Sequence, residues 1–216
     1  MVLNKKFKKD LVKPLAVSGV LAVSIVALSF FLRQPEQPQQ AHASTNQHIA
    51  RAVDQDTRVK RVEPTSNFGK EVELRAGKDA SGDYYESYVK FDLSFIPANA
   101  TVTSAKIKFY VIDATDNGPK LYQTSSTYKN TSTQWLESGL TWNNRPTLVG
   151  GAIGDAGKLS TKTWLEYNIT SLVNTNKGKV YSFALLPDST DVMRTSSKEN
   201  GDNTKIPYAE IDFTTP

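Results

Sequence analysis

The chain has 216 residues, with 26 Lys+Arg against 22 Asp+Glu, two His and no Cys. The lack of cysteine excludes a disulfide framework, a thiolate nucleophile and any Cys-ligated metal centre. Both histidines, His42 and His48, precede the first strand-like run, which excludes a Ser-His-Asp triad, a His metal site and a His base from the part that reads as folded.

The net charge of +4 sits in the first 43 residues, which hold six bases and two acids, so residues 44–216 hold twenty of each. A neutral domain has no field that draws in a polyanion such as DNA. Nucleic acid is therefore not an expected partner.

Lys5 to Lys13 form a basic start, followed by nineteen mostly apolar residues, 14–32, and a polar stretch ending in Ala41-His42-Ala43. The small-x-small ending has the form of a signal-peptidase site. Nineteen residues at about 1.5 Å each span roughly 28 Å as a helix, close to a hydrocarbon core of about 30 Å. Two readings stay open for residues 1–43, a signal peptide that is removed and an N-terminal membrane anchor that is kept. Under either, the remainder is expected outside the cytoplasm, secreted or anchored, with membrane contact only through this segment. Residues 44–55 read as a polar linker.

From residue 56 onward short alternating runs are separated by Gly, Asn, Asp, Ser and Pro. Strands are predicted over 57–62, 71–76, 86–93, 104–112, 165–169, 180–186 and 208–213. In 86–93 the apolar set is Val89, Phe91 and Leu93, with Tyr88, Lys90 and Asp92 opposite; in 104–112 it is Ala105, Ile107, Phe109 and Val111. One dry and one wet face suit an antiparallel sheet packed on another sheet. The best helical stretch, 170–174, is a turn or two. Residues 56–216 are thus expected to form one all-β domain, a two-sheet antiparallel β-sandwich of jelly-roll type.

Four ordered motifs stand out: YVKFDLSFIP (88–97) running into VTSAKIKFYV (102–111), WLESGLTWNNRP (135–146), WLEYNITSLV (164–173), and SFALLP…SSKE…PYAEIDF (182–213). In order and spacing they resemble the DNRLRE-type β-sandwich domain, also classed as carbohydrate-binding module family 96. Where that family places an arginine before the FDLS strand, this chain has Tyr84-Tyr85-Glu86. The resemblance implies a secreted or cell-surface protein with an acidic polysaccharide as ligand.

Trp135, Trp142 and Trp164 lie in the framework motifs and are expected in the core, whereas Tyr88 and Tyr110 oppose their strands' apolar sets and are expected to be exposed for stacking on sugar rings. Arg58, Lys60, Arg75, Lys90, Lys106 and Lys108 are expected on outward faces, with Lys70 and Lys78 beside the second strand. Lysine or arginine can form charge-assisted hydrogen bonds to each carboxylate of a uronate chain. The expected ligand-binding set is Arg58, Lys60, Lys70, Arg75, Lys78, Lys90, Lys108 and Tyr110, with Arg75, Lys90 and Lys108 in a row across neighbouring strands. The bland alternative is a solvated face, because the bases between residues 57 and 90 are matched by nearly as many acids.

Carboxylates are the remaining acid–base groups. Glu137 and Glu199 fall in the motifs, where such residues accept backbone N–H bonds or hold calcium through oxygen. No D-x-D-x-D-G loop is present, so no cofactor is expected and a structural calcium is left open. The reading is a non-catalytic exported module for an acidic polysaccharide, against a structural adhesion or matrix protein and, third, a polysaccharide lyase or glycosidase.

Overall fold

A computed structural model describes residues 44–216. The expected export or anchor helix lies outside the described residues. Among the described residues no helix is long and apolar enough to cross a membrane. Eleven strands and one short helix follow in order: β1 (Thr45–Ala52), β2 (Gln55–Lys60), β3 (Glu73–Lys78), β4 (Tyr84–Asp92), β5 (Thr101–Asp113), β6 (Lys120–Thr124), β7 (Leu148–Asp155), β8 (Trp164–Asn168), α1 (Thr170–Thr175), β9 (Val180–Leu186), β10 (Met193–Ser196) and β11 (Tyr208–Thr215).

The fold is all-β, and every strand pair is antiparallel. The ladder runs β1-β11-β5-β10-β3-β4-β9-β6-β7, with β2 added to β4 and β8 to β5. In place of two separate sheets, hydrogen bonding is continuous, because β10 pairs with both β5 and β3. The sheet curls so that its two halves share one core. Ala105, Ile107, Phe109 and Val111 of β5 and Ala209, Ile211 and Phe213 of β11 join Val89 and Phe91 of β4 and Phe183 and Leu185 of β9 in one apolar cluster. In β5 the inward set changes parity at Val102. Ser104 faces Asp212 and Val102 faces Phe213, so Thr103 is an extra residue. Such a bulge re-aims the side chains that follow it.

Residues 45–52, expected as part of a polar linker, form β1. Its eight residues pair with β11 from Thr45↔Thr215 to Ala52↔Tyr208. Only Ile49 packs on the core, so β1 is held by backbone hydrogen bonds and lacks an apolar alternation that sequence could reveal.

The outer face of β4 is not open to water. Segment 125–147 folds over it, and Val59, Tyr88, Trp135, Leu140 and Ala184 form a second buried cluster. Trp135 is fully buried as expected, with its indole N–H donated to Ser182 Oγ at 2.9 Å. Trp142 only borders this cluster.

Candidate functional site

At its N-terminal end β4 lies between β2 and β3, pairing Tyr85 with Lys60 on one side and with Gly77 on the other. Side chains across such a ladder share a face when directly opposed. Tyr85 therefore faces the same way as Lys60, while Tyr84 faces the other way with Lys78, its partner in β3. Arg61, whose amide donates to the Tyr84 carbonyl at 3.0 Å, completes the row from the β2 side.

On the Tyr84 face two cations bracket one ring. The Arg61 guanidinium lies 4.4 Å and the Lys78 ammonium 5.6 Å from the Tyr84 centroid. The end of β2, β4 and β3 thus place a cation, an aromatic ring and a cation side by side. Hydrogen bonds fix the β3–β4 turn. Asp79 Oδ1 accepts from the Ser81 and Asp83 amides and the Ser81 hydroxyl. These bonds, the Ser81 hydroxyl first, lower the Asp79 pKa. Asp83, itself buried, accepts from the Val62 and Tyr84 amides.

The Tyr85 face repeats the arrangement around a more deeply buried ring, beside a cavity of about 480 Å³ lined by Arg75, Lys78, Tyr85 and Arg194. Lys60 lies 5.7 Å and Arg75 5.9 Å from the Tyr85 centroid, and Tyr85 itself is buried. Gly77 permits a close approach at one side of this face. At φ 151° it adopts a conformation that L side chains avoid, and a Cβ there would run into the Asp191 carbonyl oxygen. The loop before β10 can therefore press against β3. The cations on this face also have carboxylate partners: Lys60 with Glu63 at 2.7 Å and Arg75 with Glu73 at 3.3 Å.

Of the expected ligand-binding residues, Arg58, Lys60, Arg75 and Lys78 come from β2 and β3 near this tip. Arg58 is buried, 4.6 Å from the Phe68 centroid and 3.4 Å from Glu71. Lys70 is exposed in the connection before β3. The other three lie elsewhere. Lys90 is buried beneath segment 125–147, where its ammonium donates to the Trp135 carbonyl at 2.5 Å. Lys108 sits between Glu166 at 2.9 Å and Glu210 at 2.7 Å. The expected row of Arg75, Lys90 and Lys108 does not form, because β10 and β3 separate β5 from β4 and a loop covers Lys90.

Tyr88, expected to be exposed, is 1% exposed. Its hydroxyl donates to Glu86 at 2.6 Å, and Glu86 also pairs with Arg145 at 3.0 Å beside a cavity of about 230 Å³. Burial pushes the Tyr88 pKa well up, so its phenol keeps its proton and holds Glu86, whose pair with Arg145 ties the 142–147 turn to β4. Trp164, expected in the core, is half-exposed on the outer face of β8. It packs edge-on between Tyr110 at 5.4 Å and Tyr208 at 5.1 Å.

Arg61 and Tyr84 were absent from the expected binding set. The signal that could have found them is local: Tyr84-Tyr85 stands where the resembled family has an arginine, one strand away from Arg61. Three carboxylates that could hold a metal, those of Asp56, Glu137 and Glu199, converge separately.

No curated protein matches the chain. The family model of carbohydrate-binding module family 96 matches residues 47–212, from within β1 to within β11. On the strength of that match, which takes in almost every strand described above, the chain belongs to carbohydrate-binding module family 96.

Proposed function

We propose that this is an exported, non-catalytic module of jelly-roll type that binds an acidic, uronate-type polysaccharide across the tip formed by β2, β4 and β3. The observation that carries the reading is the row Arg61, Tyr84 and Lys78. The sugar carboxylates meet Arg61 and Lys78 through charge-assisted hydrogen bonds, and the Tyr84 ring, which both cations lie over, holds them side by side. Lys78 takes part in none of the ion pairs of the described residues, and Arg61 has a long contact of 3.7 Å with Asp83 and donates to the Gly82 carbonyl at 2.7 Å. Neither is held in a close ion pair with a carboxylate.

A second reading, a structural surface protein, draws support from the two ends of the ladder. β1 and β7 each pair on one side only, and Leu148 and Val149 of β7 are exposed. Free edges invite pairing with another chain.

Affinity electrophoresis of the full chain separates the two. Retardation in a polyuronate gel at low salt, absent in a neutral glucan gel and lost in Tyr84→Ala, is the expected result. Retardation that survives Tyr84→Ala removes the site. No retardation in either gel, with a particle size that grows with protein concentration, supports the structural reading instead.

A further inference from the structure

Three carboxylates from distant parts of the chain meet beside β2. Asp56 comes from β2, Glu137 from segment 125–147 and Glu199 from the turn after β10, and each brings an oxygen within 4.8 Å of the others. Asp56 is 1% exposed. Its Oδ2 accepts the Lys198 amide at 2.8 Å, but its Oδ1 is buried with no hydrogen-bond partner. Glu199 Oε2 is also buried without a partner. The Glu137 oxygens are both engaged, Oε2 by the Asp56 amide at 3.2 Å and Oε1 by the Lys198 ammonium at 2.7 Å.

The local charge does not balance. Three carboxylates face one ammonium, Lys198, which reaches Glu199 only at 3.8 Å. Burying carboxylates without enough positive charge or donors is costly. A proton shared by Asp56 and Glu199 would remove one negative charge. A divalent cation would remove both excess charges and engage both free oxygens. The donors are all oxygen, with no nitrogen or sulfur ligand in the set, which suits a hard cation rather than zinc.

We propose that Asp56, Glu137 and Glu199 bind one calcium ion. The ion ties β2 to segment 125–147, which also packs on Val59 of β2, and to the turn after β10. Gly69 fits this arrangement, since a Cβ there would run into the Glu137 carbonyl oxygen and push that segment away. The site stands apart from the polysaccharide reading: Asp56 precedes Arg61 by five residues, and no ligand of the ion belongs to the Tyr84 row.

The test is calorimetric titration of calcium chloride into the full chain after treatment with a chelator, with thermal unfolding followed in parallel. One equivalent is expected to bind with a Kd of about 10⁻⁴–10⁻³ M, the range of extracellular calcium modules. The melting temperature should rise with calcium and fall back on chelation. Asp56→Asn and Glu199→Gln should each weaken binding by about tenfold or more, since affinity follows the number of charged ligands. Glu199→Gln keeps the test open should Asp56→Asn fail to fold, because Glu199 is only partly buried. No binding heat from a chain with intact β-type circular dichroism overturns the proposal and leaves the shared proton in its place. Unchanged affinity in Glu199→Gln, or equal affinity for magnesium, overturns it as well.

Discussion

Lys90 places its ammonium 4.3 Å from the Trp135 ring centroid while donating to the carbonyl of the same residue at 2.5 Å. It faces no carboxylate among the described ion pairs. Burial lowers its pKa from 10.5 to about 8. A lysine with a depressed pKa binds fewer protons folded than unfolded between those two values, so its share of the stability rises with pH across that window. Unfolding of the wild-type chain and of Lys90→Met, compared from pH 7 to 10.5, should differ by a slope of that sign. Parallel curves would mean that Lys90 is solvated and titrates normally.

The same pair predicts how the second cluster responds to truncation. Trp135 is fully buried, fills the space under segment 125–147 and gives its indole proton to Ser182. Trp135→Ala should cost about 3–5 kcal/mol in urea unfolding, as other large aromatic deletions do. Trp142 is half-exposed, with the Arg145 guanidinium 3.9 Å from its ring centroid, and Trp142→Ala should cost clearly less. Equal losses would show that Trp142 is as much a part of the core as Trp135.

The strands with clean alternation were legible in the sequence, as β4, β5, β9 and β11 demonstrate. The strands that escaped notice lack that signal. β6 is five residues long, β10 is four, and β7 carries Gly150, Gly151 and Gly154. β1 buries almost nothing. Alternation also places Tyr88 and Lys90 correctly on the face opposite Val89, yet it cannot say that a loop covers that face. The site suffered the same loss. Arg58, Lys60, Arg75 and Lys78 were readable as bases beside the first strands, but which ring they surround, and how the loop before β10 packs at Gly77 more than a hundred residues away, were not.

His48 links the edge strand to pH. Its Nδ1 lies 2.6 Å from Asp212 and its Nε2 3.7 Å from Glu210, both on β11. The hydrogen bond and charge of Asp212 raise its pKa above 6.5, with Glu210 adding to the shift and Lys108 opposing it. A raised histidine pKa stabilises fully below the unfolded value and is lost as pH rises through the folded value. The amides of β1 should therefore exchange more slowly at pH 5 than at pH 8, after correction for intrinsic rates. His48→Gln should abolish the difference. A difference that persists in the variant would assign the effect to another group.

The cations at the tip and the cation on β5 should respond oppositely to truncation. Arg61 is exposed, and Lys78 has no carboxylate partner among the described ion pairs. Lys108 is held by Glu166 and Glu210, whose hydrogen bonds push its pKa far up. Arg61→Ala and Lys78→Ala should each weaken polyuronate binding while costing about 1 kcal/mol of stability or less, since exposed charges contribute little. Lys108→Ala should leave binding unchanged and lower the melting temperature, because Glu210 loses its close cation and Glu166 keeps only Lys106. Wild-type binding should weaken as salt rises from about 50 to about 500 mM, where the Debye length falls from about 14 to about 4 Å. The two tip variants should be less sensitive to salt than the wild type, having fewer charges to screen. If Lys108→Ala abolishes binding and the tip variants do not, the ligand lies on the outer face of β5, β8 and β11, along the aromatic strip of Tyr110, Trp164 and Tyr208.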